Sequence, residues 1–129
     1  MSRSGYDEGC DGWDLIRYRG MVASAIRGKR GQVFLKDLLL ALDEMPVKKL
    51  IKGDLETNKG VCALGAVGRR RGVDMYKIDP YDAEIIAAKF NIAECLAREV
   101  AFQNDDFYSQ SEENRWQIVR EWVASLIKK

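Results

Sequence analysis

Apolar positions recur at three-to-four spacing along most of the chain, the period of a helix that buries one face. Trp13, Ile16, Gly20, Ala23 or Ser24, and then Ile26 or Arg27 trace a first such face, with Asp11 or Asp14 near its positive end. A broader stripe of Phe34, Leu35, Leu38, Leu39 and Leu42 predicts a second helix from about Gln32 to Glu44, with Lys36, Asp37 and Asp43 outside it. Pro46 stops it, because the residue before a proline is pushed out of helical geometry. Val61, Leu64 and Val67 mark a short helix running into Arg69-Arg70-Arg71-Gly72, where bases suit the negative helix end and glycine a left-handed cap.

Asp79 and Pro80 read as cap and first position of the next helix, faced by Ile85, Ile86 and Phe90 and broken at Asn91. Ile92, Leu96, Val100 and Phe102 carry another towards Asn104. The last helix is the clearest: Ser111 caps it, Glu112 and Glu113 fill its first turn, and Trp116, Val119, Trp122 or Val123, and Leu126 form its stripe. Lys128 and Lys129 follow at its negative end.

The connections are short. Gly28-Lys29-Arg30-Gly31 reads as a turn bracketed by two glycines, and Thr57-Asn58-Lys59-Gly60 as another. Val47-Lys48-Lys49-Leu50-Ile51 fits a helical turn or a short strand equally, and one outcome is a small β-hairpin pairing the Gly60-to-Ala63 side with Leu50-Ile51. The expected fold is mainly α, a compact orthogonal bundle of five to seven short helices with at most one hairpin. With 129 residues and no dividing linker, residues 1–129 read as one domain, residues 1–12 being an acidic, flexible opening segment.

Composition narrows the chemistry. Apolar residues make up 47% and charged residues 32%, so a packed core with a charged surface is feasible. No apolar run reaches the roughly 18 residues that cross a bilayer, and the opening lacks the apolar centre of a signal peptide. The expectation is a cytoplasmic protein with no membrane partner. The sequence contains no histidine, which removes His-dependent triads, imidazole metal sites and the usual near-neutral general base. Cys10, Cys62 and Cys95 include no C-x-x-C pair; Cys62 and Cys95 read as small buried hydrophobes and Cys10 as an exposed thiol. No catalytic residue, cofactor or metal is expected.

The net charge of +1 hides a gradient. Residues 1–14 sum to −3, residues 15–72 to +8 and residues 73–129 to −4. Arg27, Lys29 and Arg30 crowd one glycine-bounded turn, Lys48, Lys49 and Lys52 follow Pro46, and Arg69, Arg70 and Arg71 end a helix. If these converge they form a basic binding face for phosphate or carboxylate; otherwise they are a solvated rim and helix caps. The Gly28-Lys29 pair lacks the spacing and the following Ser or Thr of a nucleotide-binding loop. Asp7, Glu8, Asp11 and Asp14, and then Asn104, Asp105 and Asp106, could hold a hard cation, but no EF-hand spacing is present, and caps and a solvated tail are the plainer reading. An acidic start folded over the basic block is another. Trp116 and Trp122 belong to the core by position, as does Trp13. Tyr6, Tyr18, Phe107 and Tyr108 are candidate aromatic contacts.

Several runs resemble a family of small phage- and prophage-encoded proteins without assigned function. They are Gly28-Lys29-Arg30-Gly31-Gln32 with Phe34-Leu35, Ala41-Leu42-Asp43 with Met45-Pro46, and Leu50-Ile51. Further pieces are Val61-Cys62-Ala63-Leu64-Gly65-Ala66-Val67-Gly68, Arg71-Gly72-Val73-Asp74, Arg115-Trp116, and Arg120 with Trp122-Val123. The resemblance spans nearly the whole chain and implies a genetic setting rather than an active site. Small phage accessory proteins commonly act by occupying host machinery. It therefore implies a non-enzymatic inhibitor or modulator of a host protein or nucleoprotein complex in the host cytoplasm, anti-CRISPR inhibition being its sharpest form. The alternative is an accessory protein that binds DNA or RNA through the basic face.

Overall fold

The computed structural model describes residue 3 and residues 12–105 and 111–128. Among these, six helices and one hairpin follow in the order α1 (Gly12–Arg27), α2 (Lys29–Glu44), β1 (Glu56–Thr57), β2 (Gly60–Val61), α3 (Ala63–Arg71), α4 (Ala83–Phe90), α5 (Glu94–Asp105) and α6 (Glu112–Leu126). A 3-10 turn, Met75–Lys77, lies between α3 and α4. The mainly helical class expected from periodicity is what the chain adopts.

Two helices form the spine. The stripe of α2 buries Phe34, Leu35, Leu38 and Leu42 completely, and α2 packs on α1, α3 and α6. Fully burying each such side chain stabilises the fold by about 1.5–3 kcal/mol. Helix α5 packs on α1, α3, α4 and α6 through Leu96, Ala97, Val100 and Ala101. Phe34 and Phe90 meet in the centre with ring centroids 5.8 Å apart.

Local signals mostly place the helix ends. Ser111 Oγ accepts from Asn114 N–H, Gly72 takes the left-handed cap at φ 73° after the arginines, and Asn91 ends α4 at φ 55°. At α4 the start differs from expectation. Asp79 accepts from Tyr81 N–H in a turn, and Asp82, one turn later, is the residue whose side chain caps the helix through Ile85 N–H.

The first junction is tighter than a four-residue turn. Helix α2 begins at Lys29, so Gly28 alone separates it from α1. A Cβ on Gly31 would lie 1.8 Å from the Ala25 carbonyl oxygen, so only glycine admits this crossing. Buried Gln32 then ties the junction to the far end of the chain. Its amide donates to the carbonyls of Ile26 (2.7 Å) and Leu126 (3.1 Å) and accepts from Lys128 N–H (2.9 Å).

The hairpin forms, but with another partner. Glu56 pairs with Val61 and Thr57 with Gly60, with residues 58 and 59 turning between them. Ile51 adds one bond, donating its N–H to the Val61 carbonyl. Leu50 and Ile51 are held instead by buried polar groups from the helices. Arg115 Nη1 donates to Leu50 O at 2.7 Å, and Asn104 Nδ2 donates to Ile51 O at 2.9 Å while its Oδ1 accepts from Ala63 N–H.

Arg3, inside the stretch expected to be a flexible tail, is 4% exposed. Its Nε and Nη2 donate to the two Asp105 oxygens at 2.6 Å each, and Nη1 donates to Asp54 O at 3.1 Å. Cys62 and Cys95 are buried thiols, as expected. No helix among the described residues is long and apolar enough to cross a membrane.

Candidate functional site

The predicted basic face does not assemble. Arg69 pairs with Glu56 at 3.0 Å, Arg70 with Asp37 (2.8 Å) and Glu44 (2.5 Å), and Arg71 with Asp37 (2.5 Å). Arg71 also donates to Phe90 O and lies over the Phe34 and Phe90 rings, 5.9 and 5.8 Å from their centroids. Burial works against a charged Asp37, but hydrogen bonds from Arg70 and Arg71 outweigh it and hold its carboxyl below the usual range. Lys48 turns its ammonium to the carbonyls of Leu42 and Asp43 at the end of α2 and over Trp116, and Lys49 pairs with Glu113 at 3.4 Å. Five of the eight predicted cations therefore serve the fold. For Arg70 and Arg71 the reason is topological: α3 lies against α2, whose polar edge carries Asp37 and Glu44.

Arg27, Lys29 and Arg30 differ. Among the described residues the Arg27 side chain meets only the Ser24 hydroxyl at 3.4 Å, and that of Arg30 the neutral Asn91 amide oxygen at 3.2 Å. Lys29 has no hydrogen-bond or ion-pair partner among the described residues. The first turn of α2 carries no acid and Gly28 offers no side-chain cap, so two cations add to the positive end of the helix dipole. Such an arrangement costs local stability and concentrates positive potential.

Beside this junction lies a groove of about 770 Å³ between α1, the start of α2 and the start of α5. Its floor is Gly20, Met21, Ser24, Ala25, Gly28, Gly31, Ala93 and Cys95, and its rim is Arg17, Lys29 and Arg30. Among the described residues no carboxylate lines it. Glu94, next to the floor in sequence, is engaged by Arg98 at 2.9 Å. Burial pushes the Cys95 thiol up, so it stays neutral at physiological pH.

The first helix explains why reading its pattern missed this site. Ile16, assigned to the buried stripe, is 64% exposed, and Met21 is 59% exposed. Burial falls instead on Val22, with Ala25 and Ile26 packed against the core. Arg17, Gly20, Met21, Ser24 and Gly28 are left on the open side, at the three-to-four spacing of one helix face. The periodicity counts Gly20 and Ser24 with the buried stripe, whereas both are exposed on this face, and nothing in the pattern marks Arg17.

Tyr18 is an internal contact: it is half-buried and its hydroxyl donates to Cys95 O at 3.2 Å. Tyr6, Phe107, Tyr108, Cys10, Asp7, Glu8, Asp11 and Asp106, with the side chains of Trp13 and Asp14, lie outside the described residues. Trp116 and Trp122 pack on the core as expected. Asp105, a candidate cation ligand, has both oxygens taken by Arg3, and no cluster of three or more potential metal ligands occurs among the described residues. No protein-family model, curated protein sequence or solved structure matches this chain.

Proposed function

We propose that the protein works without catalysis, by docking a partner protein in the groove between α1, α2 and α5 and so occupying that partner's surface. The supporting observation is the groove itself, with a largely apolar floor, three cations at its rim and no acid among its described lining residues. Such a surface gains binding energy from excluded water and selectivity from charge. The total absence of histidine in the sequence agrees with a binding role. In the setting implied by the resemblance to phage and prophage proteins, the partner is a component of a host complex, and inhibition of a host defence assembly is the form of the activity we favour. Phosphate-backbone binding is the weaker reading, because Arg69, Arg70 and Arg71 already have carboxylate partners.

The test places a photo-crosslinking residue at Met21 and another at exposed Tyr81, remote in sequence from the groove, and exposes both proteins to host lysate. A crosslink formed from position 21, not from 81, and lost in Lys29→Glu/Arg30→Glu is the expected result. Equal labelling from both positions, or capture unaffected by charge reversal, removes the groove from the mechanism. Salt-sensitive binding of duplex DNA that disappears in the same double variant would favour the nucleic-acid reading instead.

A further inference from the structure

The shape of the groove floor restricts what it can hold. Gly20 and Ser24 on α1 and Gly28 just beyond its end recur at four-residue spacing, a shallow furrow about 6 Å per helical step. Three other glycines within helices are explained from inside the molecule. An added Cβ would lie 1.8 Å from an atom of Ala25 at Gly31, 1.9 Å from one of Leu55 at Gly65 and 2.2 Å from one of Met75 at Gly68. At Gly20 the same Cβ meets no described residue within 4 Å. A glycine in mid-helix weakens the helix, and at position 20 no contact with the described residues requires it. What the missing side chain leaves room for lies beyond the described residues.

Charge then selects among visitors. Arg17 and Lys29 have no hydrogen-bond or ion-pair partner among the described residues, Arg30 has only a neutral one, and the positive end of α2 faces the same space. Between Arg17 and its end at Arg27, α1 advances about 15 Å, the length of about three turns of an apposed helix. Exposed Met21 supplies an adaptable apolar contact midway. Nucleic acid would use the cations but gain little from the floor. We infer that the groove receives an acidic amphipathic helix of the partner protein, its apolar ridge along Gly20, Ser24 and Gly28 and its carboxylates against Arg17, Lys29 and Arg30. This rests on the docking role proposed above and adds the partner's chemistry.

The probe is a displayed library of helical peptides of about five turns. Ridge positions vary over Ala, Leu and Met, and flanking positions over Glu, Gln and Lys. Selection on the full-length protein should enrich apolar ridges flanked by Glu. Binding of an enriched peptide should weaken about tenfold or more in Lys29→Glu/Arg30→Glu. Selection on that double variant should turn the flank preference towards Lys. Gly20→Ala, which favours the helix itself, should bind the same peptide more weakly while melting at a higher temperature, separating lost contact from lost folding. The inference is overturned by enrichment of extended or Lys-flanked sequences, by no enrichment, or by a flank preference indifferent to charge reversal. It is equally overturned if sedimentation shows a dimer that the double variant dissociates, since a second copy would then fill the groove. Crosslinking from Met21 with no acidic helix selected leaves the docking role standing and removes only this inference; failure of both removes both.

Discussion

At the scale of single residues, the glycines separate by what stands over them. Gly31 has the Ala25 carbonyl where a Cβ would sit, whereas Gly20 has open space among the described residues. Gly31→Ala should therefore cost about 2–3 kcal/mol, because backbone must move to admit the methyl group. Gly20→Ala should stabilise by about 0.5–1 kcal/mol, since it removes backbone entropy without a clash. Urea unfolding of the two variants against the parent checks both signs, and two destabilised proteins would contradict the open space drawn at position 20. The same scale holds what no pattern could show. Gln32, Asn104 and Arg115 are polar yet buried, and each satisfies backbone groups of segments far away in the chain. Nothing in their neighbours in sequence distinguishes them from surface residues.

At the scale of elements, α2 and α3 are joined by charge as well as by packing. Asp37 receives both Arg70 and Arg71, and Glu44 receives Arg70 again. Asp37→Asn should lower stability by about 1 kcal/mol, the modest value of a partly exposed network. Combined with Glu44→Gln, it should also release two arginines and create salt-sensitive binding to polyanions that the parent lacks. A titration with heparin decides this; unchanged binding would show that the carboxylates do not mask the arginines. The basic run itself was legible in the sequence. Its neutralisation was not, because the acids that meet it lie on other elements, Asp37 and Glu44 on α2 and Glu56 on β1, beyond the reach of any local pattern. The pattern of α2 was legible for the converse reason: a wide apolar stripe can be buried only one way.

At the scale of the whole molecule, Arg3 closes the structure by linking the start of the chain to the end of α5 and to the loop before the hairpin. Arg3→Ala should cost about 2–4 kcal/mol, since it leaves Asp105 half-buried without its counter-charge. Chemical denaturation of the variant measures the loss, and a change within about 0.5 kcal/mol would deny the link any structural weight. Stability should also fall on the acid side. Burial disfavours ionised Asp105, yet Arg3 holds its carboxyl below its ordinary value of 3.8, as Arg120 holds Asp43 and the α3 arginines hold Asp37. With folded values depressed, the unfolded chain takes up protons first. The stabilisation is complete above about pH 5 and is lost progressively as pH falls through and below 4. With no histidine in the chain, no comparable step is expected between pH 6 and 7. Thermal melts from pH 7 to pH 3 follow the decline, and a transition centred near neutrality would refute this assignment.

What the sequence determined by itself was the helical class, the placing of most helices, their caps at Ser111, Gly72 and Asn91, and the exclusion of histidine chemistry. Each follows from periods and turns that act within a few residues. Tertiary structure alone decided which cations keep a free charge and which face of α1 stays open. It also decided that polar groups such as Arg3 and Gln32 are buried. Those outcomes depend on partners distant in the chain, and hydrophobic periodicity carries no information about where an opposite charge or an unfilled space will come to lie.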